Sequence, residues 1–134
     1  MKILLDTHYL LWALIDSKKL KKREKQIILD EKNDIFISTI SFWEISLKYS
    51  IGKLIFENIK IDDIIPAIKK SGYNILPFNE YEAISFYKLG QLKNKDPFDR
   101  MLIWQAIKNN LYFLTSDKKI QNDIAERKLN LKLI

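Results

Sequence analysis

The sequence predicts an α/β fold in three layers, with helices on both faces of a central parallel sheet of four to five strands. Three observations carry this. Short apolar runs and stretches of helical spacing alternate along the whole chain. The apolar runs are near-continuous, as strands buried on both faces must be. No repeat, low-complexity tract or linker interrupts the alternation, so residues 1–134 are expected to form one domain.

KILLD (2–6) reads as a short buried strand ending in an acid. THYLLWALID (7–16) has helical spacing, with Leu10, Leu11 and Leu14 apolar. Residues 18–33 read as a charged helix whose thin apolar stripe ends in Ile27, Ile28 and Leu29. DIFIS (34–38) is the second strand. A helix over 41–53 follows, with Gly52 as its stop. Another covers 60–72, entered through Asp62 or Asp63 and ended by Gly72. YNILPF (73–78) is the third strand, stopped by Pro77. Asn79 caps a helix over 79–92, and the longest clear helix spans 96–110. LYFLTSD (111–117) is the fourth strand, KKIQNDIAERK (118–128) is helical, and LNLKLI (129–134) is a candidate fifth strand.

At 134 residues and 47% hydrophobic, the chain can bury a core, which argues against disorder. It has no cysteine, which excludes disulfides and thiol chemistry and fits a reducing compartment. The apolar start is too short for a secretory signal, and no run approaches the roughly 20 residues of a membrane span. A cytoplasmic protein without membrane contact is expected. The net charge of +6 and pI of 9.4 favour polyanionic partners, nucleic acid above all. The abundance of Lys, Ile and Asn can equally reflect codon bias.

In open parallel sheets, ligands gather at the carboxyl ends of the strands, at a topological switch point. Asp6, Thr7 and His8 follow the first strand; Ser38, Thr39, Ser41 and Glu44 follow the second. Thr115, Ser116 and Asp117 close the fourth, and Asp99 lies in the first turn of the helix before it. Four carboxylates at one edge repel one another as bare anions. A hard divalent cation such as Mg²⁺ or Mn²⁺ resolves this, often through only one or two direct carboxylates. It can activate water for attack on phosphorus. Acids on a basic protein therefore point to nuclease chemistry. The simpler account is capping. Asp6, Asp96 and Asp117 are all plausible N-caps, Ser41 with Glu44 matches a capping box, and Asp96-Pro97-Phe98-Asp99 reads as a helix start.

LLDTHYLLW (4–12), ISTISFWEISLKYSIGKL (37–54), DPFDRMLIWQA (96–106) and FLTSD (113–117) together resemble the PIN-domain family, and most of all its VapC-type toxins from bacterial toxin–antitoxin pairs. The resemblance covers nearly the whole chain in the right order. It implies an α/β/α sandwich and a Mg²⁺- or Mn²⁺-dependent endoribonuclease. It places the family's acids on Asp6, Glu44, Asp99 and Asp117, with Asp6 and Asp99 as direct ligands. Thr7 and Thr115 accompany them, as groups that orient carboxylates or water. It further implies an RNA substrate, a homodimer and a cognate antitoxin. Three departures stand out. Asn94 occupies a position where close members often have His, which removes a candidate substrate contact. Trp104 stands where a small residue is usual, which bears on a helix–helix or subunit contact. The Lys-rich tail after Asp117 matches poorly.

Lys48 lies one turn beyond Glu44 and is either its i,i+4 partner or a phosphate contact. Arg100 is a solvated or paired arginine, or a second phosphate contact. His8 packs or caps more readily than it acts in catalysis, because a metal-activated water needs no histidine base. Trp12, Trp43, Tyr49 and Trp104 have the spacing of core or interface residues rather than base-stacking platforms. Two other functions compete: a catalytically inactive PIN-like module that binds nucleic acid or an antitoxin, and a phosphatase of the Asp-nucleophile type. The latter is disfavoured because DTH lacks a second acid two residues after Asp6.

Overall fold

A computed structural model describes residues 1–127 and 130–134. The elements run β1 (Lys2–Leu5), α1 (Thr7–Ile15), α2 (Lys22–Leu29), β2 (Asp34–Ser38), α3 (Thr39–Ser50), α4 (Ile64–Lys70), β3 (Asn74–Leu76), α5 (Glu80–Ser85), α6 (Pro97–Lys108), β4 (Tyr112–Leu114), α7 (Lys118–Arg127) and β5 (Lys132–Leu133). The five strands form one parallel sheet in the order β3-β2-β1-β4-β5. This is the predicted α/β/α architecture. The first residue of the strand expected over 129–134, Leu129, and the last of the helix expected over 118–128, Lys128, lie outside the described residues.

The pleat divides the core. Ile3 and Leu5 of β1, with Ile35 and Ile37 of β2, pack under α1, α2 and α4 against Tyr9, Leu10, Ile28 and Ile68. Leu4 of β1 and Phe113 of β4 face the other way, into a second cluster with Leu102, Ile103 and Ala106 of α6 and Ile120 of α7. Right-handed crossovers explain the division. The chain steps from β1 to β2 to β3 in one direction, then jumps back past β1 to β4. That reversal puts the later helices on the opposite face. It also makes the gap between β1 and β4 the topological switch point.

Three helices come out shorter than periodicity suggests. The stretch 18–33 begins as a 3-10 turn at Ser17–Lys19, and α2 starts only at Lys22. The intervening Leu20 is extended and buried in the core. The stretch 60–72 opens as a 3-10 turn at Ile61–Asp63; Pro66 has no N–H to offer the carbonyl four residues back. The helix expected over 79–92 tightens into a 3-10 turn at Phe86–Leu89. Trp104 Nε1 donates to the Glu82 carbonyl at 3.1 Å, and the Phe86 N–H turns to Ala83 instead. Trp104 is thus a contact between α5 and α6. At the end of α6, Asn110 takes the left-handed conformation (φ 54°) that lets the chain reverse into β4.

Candidate active site

The site lies at the carboxyl ends of β1 and β4. The Asp6 N–H donates to the Leu114 carbonyl at 3.1 Å, which locks the two strand ends together. Asp6 is 5% exposed and caps α1, its Oδ1 accepting from Tyr9 N at 2.9 Å. Asp117 caps α7 in the same way, Oδ1 accepting from Lys119 N at 2.8 Å. Asp96 caps α6 through Oδ1, which accepts from Phe98 N at 2.8 Å and Asp99 N at 3.1 Å, with Pro97 at the first helical position. This start fixes Asp99 in the first turn, facing Asp6 and Asp117 across a recess of about 270 Å³ that His8, Trp12 and Ser116 complete. Capping and site-building are therefore one arrangement: the cap uses one carboxylate oxygen and places the residue.

Glu44 approaches from α3, near enough for its charge to act on Asp6 and Asp99. The capping box expected at Ser41 and Glu44 does not form. Ser38, extended at the end of β2, starts α3 three residues earlier, its Oγ accepting from Ile40 N at 3.0 Å. Glu44 is therefore inside the helix and 2% exposed. Lys48 Nζ donates to Glu44 Oε2, while Glu44 Oε1 is buried with no hydrogen-bond partner. Burial alone would lower the Lys48 pKa. The hydrogen bond and charge of Glu44, with the charges of Asp96 and Asp99, raise it instead.

Burial raises the Asp6 pKa above its ordinary value against the hydrogen bonds from Tyr9 N and Thr115, and the Glu44 charge raises it further. Burial likewise pushes Asp99 up to about 6. The Asn94 hydrogen bond opposes the shift, and the charges of Asp96, Glu44 and Asp6 add to it. Asp6, Asp99 and Asp117 thus line one recess, and Glu44, with one orphaned oxygen, lies close enough for its charge to act on Asp6 and Asp99.

The accompanying residues divide. Thr115 Oγ1 accepts from Asp117 N at 3.1 Å and bonds Asp6, so it joins two of the acids. The Thr7 hydroxyl instead donates to Ser41 Oγ at 3.0 Å and ties α1 to α3. Arg100 is turned away from the recess: its Nη2 donates to the Gly90 carbonyl at 3.0 Å and its guanidinium lies over the Phe86 ring. This geometry corresponds to the paired arginine of the two readings, and the phosphate contact stays a proposal. His8 is exposed and tilted against Trp12.

The model for the PIN domain matches residues 3–126. The chain belongs to the PIN-domain family. The match runs through most of α7, further than the poor likeness after Asp117 suggests. Solved structures share the fold. A chain of VapBC2 from Rickettsia felis bound to a promoter DNA fragment superposes with a TM-score of 0.67 at 20% identity, covering 100% of this chain and 98% of that one. For VapBC-1 from nontypeable Haemophilus influenzae the values are 0.63, 20%, 100% and 97%. For FitAcB from Neisseria gonorrhoeae they are 0.62, 19%, 98% and 96%. No curated protein matches the chain.

Among the described residues of this PIN domain, no group of three or more His, Asp and Glu side chains is arranged to hold a metal ion by itself. The donor set nevertheless suits a hard cation. Such ions keep several waters and are often held by one or two carboxylates. A positive charge would offset the burial, and the nearby acidic charge, that raise Asp6 and Asp99, and would give the orphaned Glu44 oxygen a partner.

Sequence reasoning missed two residues. Asn94 is 4% exposed, and its Nδ2 donates to Asp99 Oδ2 at 3.1 Å and Asp117 Oδ2 at 3.2 Å. Far from being only a lost substrate contact, it bridges two acids. Asp123, fully buried on α7, accepts from the backbone N–H groups of Lys93 at 2.7 Å and Asn94 at 3.0 Å. An acid on the same face as Ile120 and Ile124 was the available signal.

Proposed function

We propose that this PIN domain is a divalent-metal-dependent endoribonuclease, acting as the toxin of a toxin–antitoxin pair and cutting RNA phosphodiester bonds with an activated water. The observation that supports the reading is that Asp6, Asp99 and Asp117 line one recess at the switch point between β1 and β4, within reach of the Glu44 charge. Asp6 and Asp99, whose pKa values burial raises, would hold Mg²⁺ or Mn²⁺. Glu44 and Asp117 complete the negative field, directly or through water.

When bound, the cation supplies an activated water and a counter-charge for the phosphate. The chain's own residues do the rest. Thr115 holds the Asp6 and Asp117 sides of the recess in register. Lys48 balances Glu44, and its side chain, 33% exposed, would also offer a charge to a substrate phosphate. A groove of about 860 Å³ runs beside His8 and Trp12, its two lysines, Lys18 and Lys19, matched by Asp16 and Glu57; the basic balance that favours a polyanion is that of the whole chain, +6. The antitoxin expectation comes from the neighbours, which are VapBC and FitAB complexes. The exposed apolar side chains Trp43, Leu47, Tyr81 and Ile84 support a homodimer. No helix among the described residues is long and apolar enough to cross a membrane.

The inactive binding module is favoured by two observations: Lys48 already neutralises Glu44, and no three donors close on one point. Single-stranded RNA and DNA of one sequence, incubated with the protein and Mn²⁺, separate the readings. Internal cleavage of RNA is expected from the wild type and none from a folded Asp6→Asn variant. RNA that is bound and left intact would transfer the conclusion to the binding module.

A further inference from the structure

We propose that Asn94 is a positioning residue whose amide nitrogen, donating to Asp99 and Asp117 together, sets the spacing and facing of two of the carboxylates that receive the cation. This rests on the reading of those acids as a cation site and adds what holds them there. Asp99 belongs to α6 and Asp117 to the start of α7, so the two repel from separate elements. One NH₂ group has two hydrogens, and here each carboxylate takes one. The orientation of the amide is fixed chemically. Its Oδ1 accepts from Asp96 N at 2.8 Å, a backbone donor, whereas the carboxylates can only accept.

The bridge is anchored from behind. Asp123 grips the backbone N–H groups of Lys93 and Asn94 with its two oxygens. Lys93 Nζ adds an ion pair to Glu126 at 2.7 Å. Residues 93–94 are thereby clamped to α7, the helix that Asp117 starts. Through Asn94, Asp99 of α6 is held in register with Asp117. A residue that only capped the loop would need Oδ1 alone; the two Nδ2 contacts have no role in that account.

Two variants separate the accounts, read by Mn²⁺ calorimetry and by thermal unfolding with and without Mn²⁺. Asn94→Ala removes the bridge and is expected to weaken Mn²⁺ binding about 10-fold or more, the usual effect of losing a group that orients a ligand. Asn94→Asp keeps the acceptor for Asp96 N but turns the bridge into a third carboxylate. Its metal-free Tm is expected below wild type, and its Mn²⁺-induced rise in Tm is expected to be larger. If it is unfolded without metal, Mn²⁺ should restore the fold, and failure to do so counts against the bridge. Wild-type Mn²⁺ affinity in Asn94→Ala, or wild-type Tm and affinity in Asn94→Asp, overturns the inference alone. A wild type that binds no Mn²⁺ at millimolar concentration overturns the cation site and the inference with it.

Discussion

Asp99→Asn is expected to lower RNA cleavage by about 10³ or more and, at the same time, to raise the metal-free Tm at pH 7. The first effect follows if Asp99 is the charged ligand proposed for the centre that stabilises the transition state; losing even one neutral donor from such a centre costs 10²–10³. The second follows from the same burial. The Asp99 pKa rises from 3.8 in the unfolded chain to about 6 in the fold. Its contribution to stability is full below the unfolded value and is lost as pH rises through about 6. At pH 7 the wild type therefore carries the full cost of a half-buried charge, which asparagine of the same shape avoids. With partial exposure discounted, the gain is about 1–2 kcal/mol, or about 3–8 °C in Tm. The difference should shrink as pH falls toward 4. A Tm at pH 7 equal to or below wild type contradicts the electrostatic account, even if activity is lost.

Lys48→Met is expected to destabilise the fold by about 2–3 kcal/mol in urea unfolding. It leaves Glu44, 2% exposed, with neither side-chain oxygen hydrogen-bonded, because Oε1 has no partner in the wild type either. Breaking a buried pair from one side costs about 3–5 kcal/mol. The figure is lower here because the lysine side chain is 33% exposed and its removal admits water. Glu44→Gln in the same chain should recover most of the loss, since the stranded charge is gone. If Lys48 also meets a phosphate, the double variant regains stability while its KM for RNA stays raised. A single Lys48→Met variant within about 0.5 kcal/mol of wild type, the range of ordinary surface substitutions, contradicts the pairing.

The parts of this fold legible in the sequence are those that local chemistry decides. β1 and β2 are apolar runs with few neighbours to choose between, and DPFD writes its own helix start: cap, proline and an acid in the first turn. The family likeness rested on the same stretches. The parts that stayed hidden depend on distant partners. The break after α5 arises because an indole 22 residues away takes the Glu82 carbonyl. Pro77 and Phe78 leave the sheet because their backbone groups bond Gln105 and Thr39 instead. Asn94 read as a missing histidine because the partners that make it a bridge between elements, Asp117 and Asp123, lie 23 and 29 residues further on. Arg100 looked available for phosphate for the same reason: nothing nearby in sequence announces Gly90 and Phe86 as its hosts.

The central claim is that the converging acids work through a divalent cation, and chelation tests it most directly. The purified protein is mixed with a labelled single-stranded RNA and Mn²⁺, then with EDTA in excess, then with Mn²⁺ restored beyond the chelator, with Asp99→Asn alongside. Cleavage that stops with EDTA, returns with Mn²⁺ and is absent throughout in the variant is the expected result. Cleavage that continues unchanged in EDTA, or proceeds equally in Asp99→Asn, would contradict the claim.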